Sequence, residues 1–503
     1  MELVFIPTPI MGHIVSAVEM AKRINDGGSN EVIITILILQ QRSFDPEISH
    51  YIQSQTTTAA DDSRHPSSLK FETLTLPPPA TDAPATGVRS VDAFKPQVRD
   101  WVSRKNLRSS GRLTFVVDFF CTAMVDVGND LGIPTYVFFT SGAATLGVLI
   151  FSLETIKSLS DHPNNPTPFF DIPTYRNPFP AECLPPPLLN KDSFQTFLDI
   201  SERIRGARGV LVNTFLELES HAVNALNNDP LTPPIYPIGP LLNLETAAAG
   251  GEKGQILEFL DSFQEQGSVL FLCFGSMARF GAEDEEQVKE IATALEGSGQ
   301  RFLWAFRSAE DDGGQGRRLL PNGFLERTEK VGKVVNGWVP QVAILAHPAV
   351  GGFISHCGWN STLESLWFGK PIGTWPIGAE QEANAFLLVK EIGAGVEIKL
   401  SSKKVVSDGT GQLVSNVVPE AEIQRGIAQL MDPLNPVRLR AKELGEMSRL
   451  ALAEEGGSSY TSLRCFVQDA FHHHQWTRGT YLTFLTDVFI YLLKWFYRVI
   501  FYK

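Results

Sequence analysis

The segment from Trp338 to Gln381 constrains the fold more than any other part of the chain. Its centre reads as a short apolar strand, VGGFISH, then a turn, CGWN, and then a helix, STLESLWFG, with apolar residues at Leu363, Leu366 and Trp367. A strand that runs directly into a helix is the building unit of parallel α/β sheets. The turn directs unpaired N–H groups and the positive end of the helix dipole outward, which favours a phosphorylated ligand.

From the residues alone, this turn has two interpretations. Gly358 would let the backbone approach a pyrophosphate closely, with His356, Asn360 and Ser361 contacting the phosphate oxygens. Alternatively, Ser361 followed three residues later by Glu364 is a capping box, which needs no ligand. The local pattern does not decide between a ligand site and an ordinary helix start.

The tryptophans of the segment are equally ambiguous when each is considered alone. Trp338, Trp359 and Trp375 fit a plain core, because large aromatic side chains mostly bury area. The whole segment, however, resembles the donor-binding signature of plant family 1 UDP-glycosyltransferases, which also begins with Trp and ends with Gln. That match spans the entire stretch from Trp338 to Gln381 and is highly specific.

The resemblance implies where the nucleoside would bind. Trp338 would stack on the uracil ring, and Val339 and Gln341 would also belong to the donor site, with Gln341 near the uridine. Glu364 would hydrogen-bond the ribose hydroxyls. We therefore expect UDP-glucose as co-substrate.

The resemblance also implies which residues surround the diphosphate. His356, Asn360 and Ser361 would contact its oxygens. Ser276, in the FGS turn after the strand SVLFLC, and Thr140, at the end of IPTYVFFT, match family positions near the sugar and phosphate. Each of these two is a weak signal alone, since Ser and Gly are routine turn residues.

For the sugar, the resemblance implies contacts from the end of the segment. Glu380 and Gln381 would hydrogen-bond the sugar hydroxyls, with Trp359 beside them. A final Gln together with Trp at this position usually accompanies glucose. The chain departs from many relatives at Gly378, where they carry Tyr or Phe, and this predicts a less closely walled sugar pocket.

A second group of residues, far upstream, is suited to proton transfer. His13 follows the strand ELVFIP at the start of a helix, where a His is more often a capping or packing residue. Its neutral imidazole is also able to accept a proton near pH 7. Asp118 ends the apolar run LTFVVD, where an unpaired carboxylate would be costly, so either backbone N–H groups or His13 should pair with it.

The resemblance implies that His13 and Asp118 form the catalytic pair. His13 would deprotonate an acceptor hydroxyl, which attacks the anomeric carbon opposite the departing UDP, while Asp118 orients the imidazole. Configuration would invert, giving a β-glucoside. Because the chain has no Asp-x-Asp pair, we expect no metal in the reaction.

Three functions are compatible with these patterns. The leading one is an O-glucosyltransferase acting on a flavonoid, phenylpropanoid or terpenoid hydroxyl. The second is a catalytically silent UDP-sugar-binding protein, against which the retention of His13 and Asp118 counts. The third, a nicotinamide-dependent oxidoreductase, lacks its phosphate-binding turn, because no G-x-G-x-x-G follows the first strand.

Bulk composition restricts the partners and the compartment. A net charge of -13 argues against nucleic-acid binding, which requires a basic face. The five cysteines are few and odd in number, which is typical of reduced thiols in the cytoplasm. No basic n-region or cleavage site precedes the first strand, so we expect no secretory signal. We expect a monomer.

Alternating strands and helices predict an α/β protein with two Rossmann-like domains and parallel sheets. Strands are predicted near 3 to 7, 31 to 39, 113 to 118, 133 to 140, 207 to 215, 268 to 274, 301 to 306, 333 to 335, 350 to 355 and 371 to 375. The resemblance implies a GT-B fold in which the two sheets face each other across a cleft. The predicted parts are an acceptor-binding domain (1–240), a linker (241–255), a donor-binding domain (256–445), a closing helix that packs on the first domain (446–470) and an atypical apolar tail (471–503).

The tail departs from the family pattern. It is apolar and aromatic, but Asp487, Lys494 and Arg498 interrupt any clean membrane span. An interfacial helix is an alternative to a tail with no role in the fold. The run from His472 to His474 lacks the spaced partners of a metal site.

Overall fold

The computed structural model describes residues 2–26, 32–40, 46–61, 69–76, 87–106, 113–161, 169–244, 252–276, 278–309, 319–401 and 417–471. Two parallel β-sheets covered by helices make up most of these residues. Predictions for the tail, including the His472 to His474 run, concern residues outside these ranges. Within them, no helix combines the length and the apolar character needed to cross a bilayer.

The first sheet has seven parallel strands. In chain order they are β1 (Glu2–Ile6), β2 (Ile33–Gln40), β3 (Leu69–Thr75), β4 (Leu113–Asp118), β5 (Thr135–Phe139), β8 (Gly209–Val212) and β9 (Ile235–Pro237), with a separate antiparallel pair formed by β6 (Phe169–Phe170) and β7 (Phe179–Pro180). Their order across the sheet is β3-β2-β1-β4-β5-β8-β9. Because Ile6 of β1 pairs with Val117 of β4, the loops that follow these strands leave the sheet side by side.

The second sheet has six parallel strands in the order β12-β11-β10-β13-β14-β15. They are β10 (Val269–Cys273), β11 (Arg301–Phe306), β12 (Gly332–Asn336), β13 (Val350–Ser355), β14 (Ile372–Thr374) and β15 (Gly395–Glu397). Cys273 at the end of β10 pairs with Ser355 at the end of β13. The turns after these two central strands are therefore neighbours.

Helices cover both sheets. The α-helices of the first half are α1 (Met11–Asp26), α2 (Pro46–Asp61), α3 (Lys95–Asn106), α4 (Ala123–Leu131), α5 (Ala143–Phe151), α6 (Leu153–Asp161), α7 (Pro186–Leu189), α8 (Lys191–Arg205) and α9 (Leu216–Asn228). Those of the second half are α10 (Glu252–Asp261), α11 (Glu285–Ser298), α12 (Phe324–Thr328), α13 (Gln341–Ala346), α14 (Trp359–Trp367), α15 (Gln381–Phe386), α16 (Glu420–Met431), α17 (Pro436–Ala451) and α18 (Ser458–Phe471). A π-helix, Leu387–Ile392, continues α15.

The two parallel α/β sheets confirm the predicted fold class. Each of the ten predicted strands overlaps an observed strand, although the one near 207 to 215 is shorter. Three strands of the two main sheets were not predicted: β3, β9 and β15, and each lies at an edge of its sheet. The predicted segment boundaries cut across helices, since α10 begins at Glu252 and α17 begins at Pro436.

The last described helix, α18, returns to the first sheet. It contacts β9 and α1, and Leu463 and Phe466 are buried in the core on that side of the sheet. Asp469 accepts hydrogen bonds from the hydroxyl of Tyr136 and from Arg208, whose Nη2 lies 2.8 Å from Oδ1. Buried apolar contacts and this ion pair together hold the end of the described chain against the first sheet.

Candidate active site

A cleft lies where the carboxyl ends of the two sheets face each other, the usual ligand position in α/β folds. Its cavity of about 710 Å³ is within the range of small-molecule sites. The predicted residues that line it are His13, Thr140, Ser276, Trp338, Val339, Gln341, His356, Trp359, Asn360, Ser361, Glu364, Glu380 and Gln381. Asp118 lies behind His13 and is 1 % exposed. The fold therefore brings the predicted residues of both halves into one place.

His13 and Asp118 are hydrogen-bonded. Nδ1 of His13 lies 2.7 Å from Oδ2 of Asp118. Because an ionised carboxylate only accepts hydrogen bonds, the proton of a neutral imidazole resides on Nδ1 and the lone pair remains on Nε2. The alternative expectation also holds, since the backbone N–H of Phe120 donates to Oδ1 of the same carboxylate at 2.9 Å.

The surroundings make His13 a stronger base than an ordinary histidine. Burial lowers the pKa of His13, but the charge and hydrogen bond of Asp118, together with the charge of Glu380, more than offset this effect. The pKa of His13 therefore lies above its usual value. An imidazole in this state suits the role of general base near neutral pH.

The turn after β13 holds His356 between two glycines. A Cβ on Gly358 would come within 2.3 Å of the His356 ring, and one on Gly275, whose φ is +89°, within 2.6 Å. No other residue type fits these two positions without displacing the imidazole. Burial lowers the pKa of His356 to about 4, so the ring is neutral at physiological pH. Its Nδ1 has no hydrogen-bond partner in the described chain.

The start of α14 overturns the capping-box interpretation. The N-cap residue is Gly358, and Ser361 lies inside the helix. The side-chain N–H₂ of Gln341 donates to the hydroxyl of Ser361 at 2.8 Å and to Glu364 at 2.6 Å. The side chains of Ser361 and Glu364 are therefore positioned by hydrogen bonds from Gln341, and they do not cap the helix.

Glu364 has an unusual protonation equilibrium. Burial raises the pKa of Glu364 to about 7, and the hydrogen bond from Gln341 opposes this rise. Its charge therefore changes within the physiological pH range.

The indole of Trp338 also lines the cleft. It is 56 % exposed, so a flat ring is able to stack on it.

At the other end of the signature segment, Trp359 has a structural bond that was not expected. Its Nε1 donates to the backbone carbonyl of Asn213, in the first half of the chain, at 2.7 Å. Oε1 of Gln381 accepts from the backbone N–H groups of Ile377 and Gly378, which leaves its Nε2 free to donate. Within the described ranges, and apart from its two chain neighbours, no atom lies within 4 Å of a Cβ placed on Gly378, so the wall is open here.

Sequence reasoning missed the aromatic wall beside His13. Phe119 and Phe120 have ring centroids 5.9 and 5.7 Å from that of the imidazole. The apolar lining on this side consists of Ile10, Phe119, Phe120, Phe139, Val148, Leu149, Pro185, Pro187, Leu188 and Phe197. The signal for two of them was present in the sequence, because Phe119 and Phe120 directly follow Asp118.

Sequence reasoning also missed Arg307. It directly follows β11, and its Nη1 donates to the backbone carbonyl of Ser276 at 2.5 Å. Among the described residues that line the cleft, it is the only lysine or arginine. No group of three or more His, Cys, Asp or Glu suited to a metal occurs in the described ranges.

Comparison with known proteins assigns the chain to one family. Residues 230–431 match the model of the UDP-glucoronosyl and UDP-glucosyl transferase family. UDP-glucose flavonoid 3-O-glucosyltransferase 6 of Fragaria ananassa is 44 % identical over 93 % of this chain and 98 % of the relative. The chain is a plant family 1 UDP-glycosyltransferase. UDP-glycosyltransferase 71B2 of Arabidopsis thaliana is 41 % identical over the same shares of both chains.

Solved structures of UDP-glycosyltransferases confirm the predicted GT-B arrangement. UGT71G1 of Medicago truncatula, crystallised with UDP-glucose, superposes on this glycosyltransferase with a TM-score of 0.78 and 37 % identity. That comparison covers 94 % of this chain and 98 % of the other. A transferase from Siraitia grosvenorii in complex with UDP gives the same TM-score with 36 % identity.

Proposed function

We propose that this glycosyltransferase moves glucose from UDP-glucose to a hydroxyl group of a flavonoid, phenylpropanoid or terpenoid in the cytoplasm, giving a β-glucoside. One observation carries the proposal. The imidazole of His13, bonded to Asp118 through Nδ1, lines the same cleft as the segment from Trp338 to Gln381. A base and a nucleotide-binding segment that share one cleft are the minimum that glycosyl transfer to a hydroxyl requires.

In the proposed reaction His13 is the general base. Nε2 takes the proton of the acceptor hydroxyl as its oxygen attacks the anomeric carbon of glucose. The bond between that carbon and the β-phosphate oxygen breaks, and UDP leaves with the electron pair. Attack from the face opposite UDP inverts the anomeric configuration. Asp118 stabilises the imidazolium that forms on His13.

Departure of UDP needs electrostatic stabilisation. The N-terminus of α14 and the side chains of Asn360 and Ser361 would supply donors to the diphosphate, with the neutral His356 ring beside them. Arg307 would bring a positive charge to this end of the cleft, directly behind the Ser276 turn. Donors that are already in place cost no reorganisation when charge develops on the leaving oxygen.

At the sugar and nucleoside, the proposed contacts come from polar groups and one ring that line the cleft. The Nε2 group of Gln381 and the carboxyl of Glu380 would bind glucose hydroxyls. Thr140, which directly follows β5, lines the same cleft. Glu364 would accept the ribose hydroxyls, and Trp338 would stack on uracil with Val339 beside it.

The acceptor side favours flat, apolar molecules with a hydroxyl. Phe119 and Phe120 present rings next to His13, and the ring of Phe197 lies 6.5 Å from that of Phe120. Aromatic rings pack well against other ring systems. The relative from Fragaria ananassa is named as a flavonoid 3-O-glucosyltransferase. We therefore place flavonoids first among the acceptor classes.

The test is product formation by purified protein. UDP-glucose is incubated with separate panels of flavonoids, simple phenols and terpenoid alcohols, and products heavier by one hexose are sought by mass spectrometry. UDP-galactose serves as the donor control, and UDP binding is measured by calorimetry. A hexosylated flavonoid is the expected result. No product from protein that binds UDP would favour a silent UDP-sugar-binding protein.

A further inference from the structure

The loop between β1 and α1 carries a hydroxyl directed at the catalytic pair. Thr8 lies between Pro7 and Pro9, five residues before His13. Its Oγ1 donates to Oδ1 of Asp118 at 2.6 Å and also lies 3.7 Å from Sγ of Cys121. At this short distance the hydroxyl donates its proton to the carboxylate.

Three donors share the two oxygens of Asp118. Oδ2 accepts from His13, whereas Oδ1 accepts from Thr8 and from the backbone N–H of Phe120. The Phe120 N–H belongs to the loop of Asp118 itself, so it does not fix the carboxylate relative to the imidazole. Thr8 belongs to the loop that leads into α1, the helix that carries His13. Its bond therefore connects the two loops and leaves Oδ2 for the imidazole.

We infer that Thr8 is a positioning residue for the His13–Asp118 pair and acts through Asp118. The inference rests on the proposed function, because it takes His13 as the base. Its hydrogen bond fixes the orientation of the carboxylate and, by stabilising the negative charge, makes the carboxylate less basic. It needs no contact with either substrate to do so.

Loss of this hydroxyl has a defined consequence. Thr8→Val nearly keeps the shape of the side chain and removes the donor. Oδ1 then keeps only the N–H of Phe120, so the carboxylate loses the contact that orients it toward His13, and its charge is less stabilised. The imidazolium beside it is then favoured, and the pKa of His13 rises. Neither of the other titratable groups beside His13 compensates for the lost hydroxyl. The negative charge of Glu380 also raises the pKa of His13. Burial, followed by the charge of Asp118, raises the pKa of Cys121, so this residue stays a neutral thiol.

The test is an NMR titration of the His13 imidazole in wild type, Thr8→Val and Thr8→Ser, with the signal assigned by its loss in His13→Gln. Thr8→Val is expected to raise the pKa of His13 by about half a unit and to lower kcat/KM for the acceptor about tenfold. The acid limb of the pH profile should move to higher pH with it. Thr8→Ser should restore wild-type values, and UDP affinity should not change.

Thr122→Val is the matched control, because Thr122 lies four residues after Asp118, is buried and has no hydrogen bond to Asp118. An unchanged pKa of His13 in Thr8→Val, or the same shift in Thr122→Val, would overturn the inference, as would a failure of Thr8→Ser to restore it. The titration needs no acceptor. Absence of a hexosylated product from wild type would therefore count against the proposed function alone.

Discussion

Trp359 and Asn213 are joined across the cleft: the indole N–H of Trp359 donates to the backbone carbonyl of Asn213 at 2.7 Å. Trp359 is the first residue of α14, and Asn213 directly follows β8 of the other sheet. A second bond of this kind runs from the hydroxyl of Thr145 to Oδ1 of Asn384, at 2.9 Å. The site is thus held by direct hydrogen bonds between its two halves.

Replacing Trp359 with Phe should weaken this connection. The change leaves the buried Asn213 carbonyl without its donor, which costs about 1–3 kcal/mol. We expect the free energy of unfolding, from urea denaturation, to fall by that amount beyond the packing loss, and KM for UDP-glucose to rise. Trp304→Phe is the matched control, because the buried Trp304 N–H has no partner in the described chain. An equal loss of stability in the two variants would contradict the account.

Replacing Asp118 with Asn should change both the rate and its pH dependence. The charge of Asp118 raises the pKa of His13, so the pKa falls when that charge is removed. The acid limb of kcat/KM for the acceptor should therefore move to lower pH. The maximal rate should drop about a hundredfold or more, because Asn does not stabilise the imidazolium. If the acid limb stayed at its wild-type position, the claim that Asp118 raises the pKa of His13 would be wrong.

Replacing Glu364 with Gln should remove a pH effect on donor binding. With the pKa of Glu364 at about 7, its carboxylate is protonated as the pH falls and accepts the ribose hydroxyls less well. We expect KM for UDP-glucose to rise below about pH 7 in wild type. In Glu364→Gln it should be about tenfold higher and flat with pH. Glu217→Gln, which changes a half-buried acid in α9 away from the cleft, is the control. If the pH dependence of KM disappeared in this variant too, Glu364 would not be its source.

Replacing Asp469 with Ala should destabilise the protein through α18. The change leaves Arg208 and the hydroxyl of Tyr136 without their shared acceptor. Loss of one partner from such a pair costs about 3 kcal/mol, to be measured as the free energy of unfolding. The control is Asp130→Ala, whose exposed ion pair with Arg99 is worth less than about 1 kcal/mol. Similar losses in both variants would show that α18 is not held by Asp469.

The strands that were not predicted from the sequence all lie at the edges of the sheets. The predicted central strands are continuous apolar runs, as expected for strands buried on both faces. The missed strand Leu69–Thr75 lies at a half-buried edge, and Leu74 breaks the alternation that Leu69 and Phe71 begin. The others, Ile235–Pro237 and Gly395–Glu397, have three residues each. Such short patterns do not differ from those of loops until a neighbouring strand pairs with them.

In the site, too, residues with a local sequence pattern were predicted, whereas most contacts between distant segments were not. Residues that lie in one strand-turn-helix unit, such as His356 and Ser361, were predictable because their spacing is local. Apart from the His13–Asp118 pair, which the family resemblance implied, contacts that join distant segments were not predicted. The bond between Thr8 and Asp118 spans 110 residues, and the bond between Trp359 and Asn213 spans 146. No periodicity in either segment specifies these partners.

The central claim is that His13 activates the acceptor hydroxyl, and His13→Gln tests it most directly. The amide of Gln is able to keep a hydrogen bond to Asp118 but does not accept the proton. The measurement is the single-turnover rate of flavonoid glucosylation at saturating UDP-glucose, with UDP affinity measured alongside. We predict that the rate falls about a hundredfold or more while UDP affinity is unchanged. A variant that glucosylates at the wild-type rate would contradict the account.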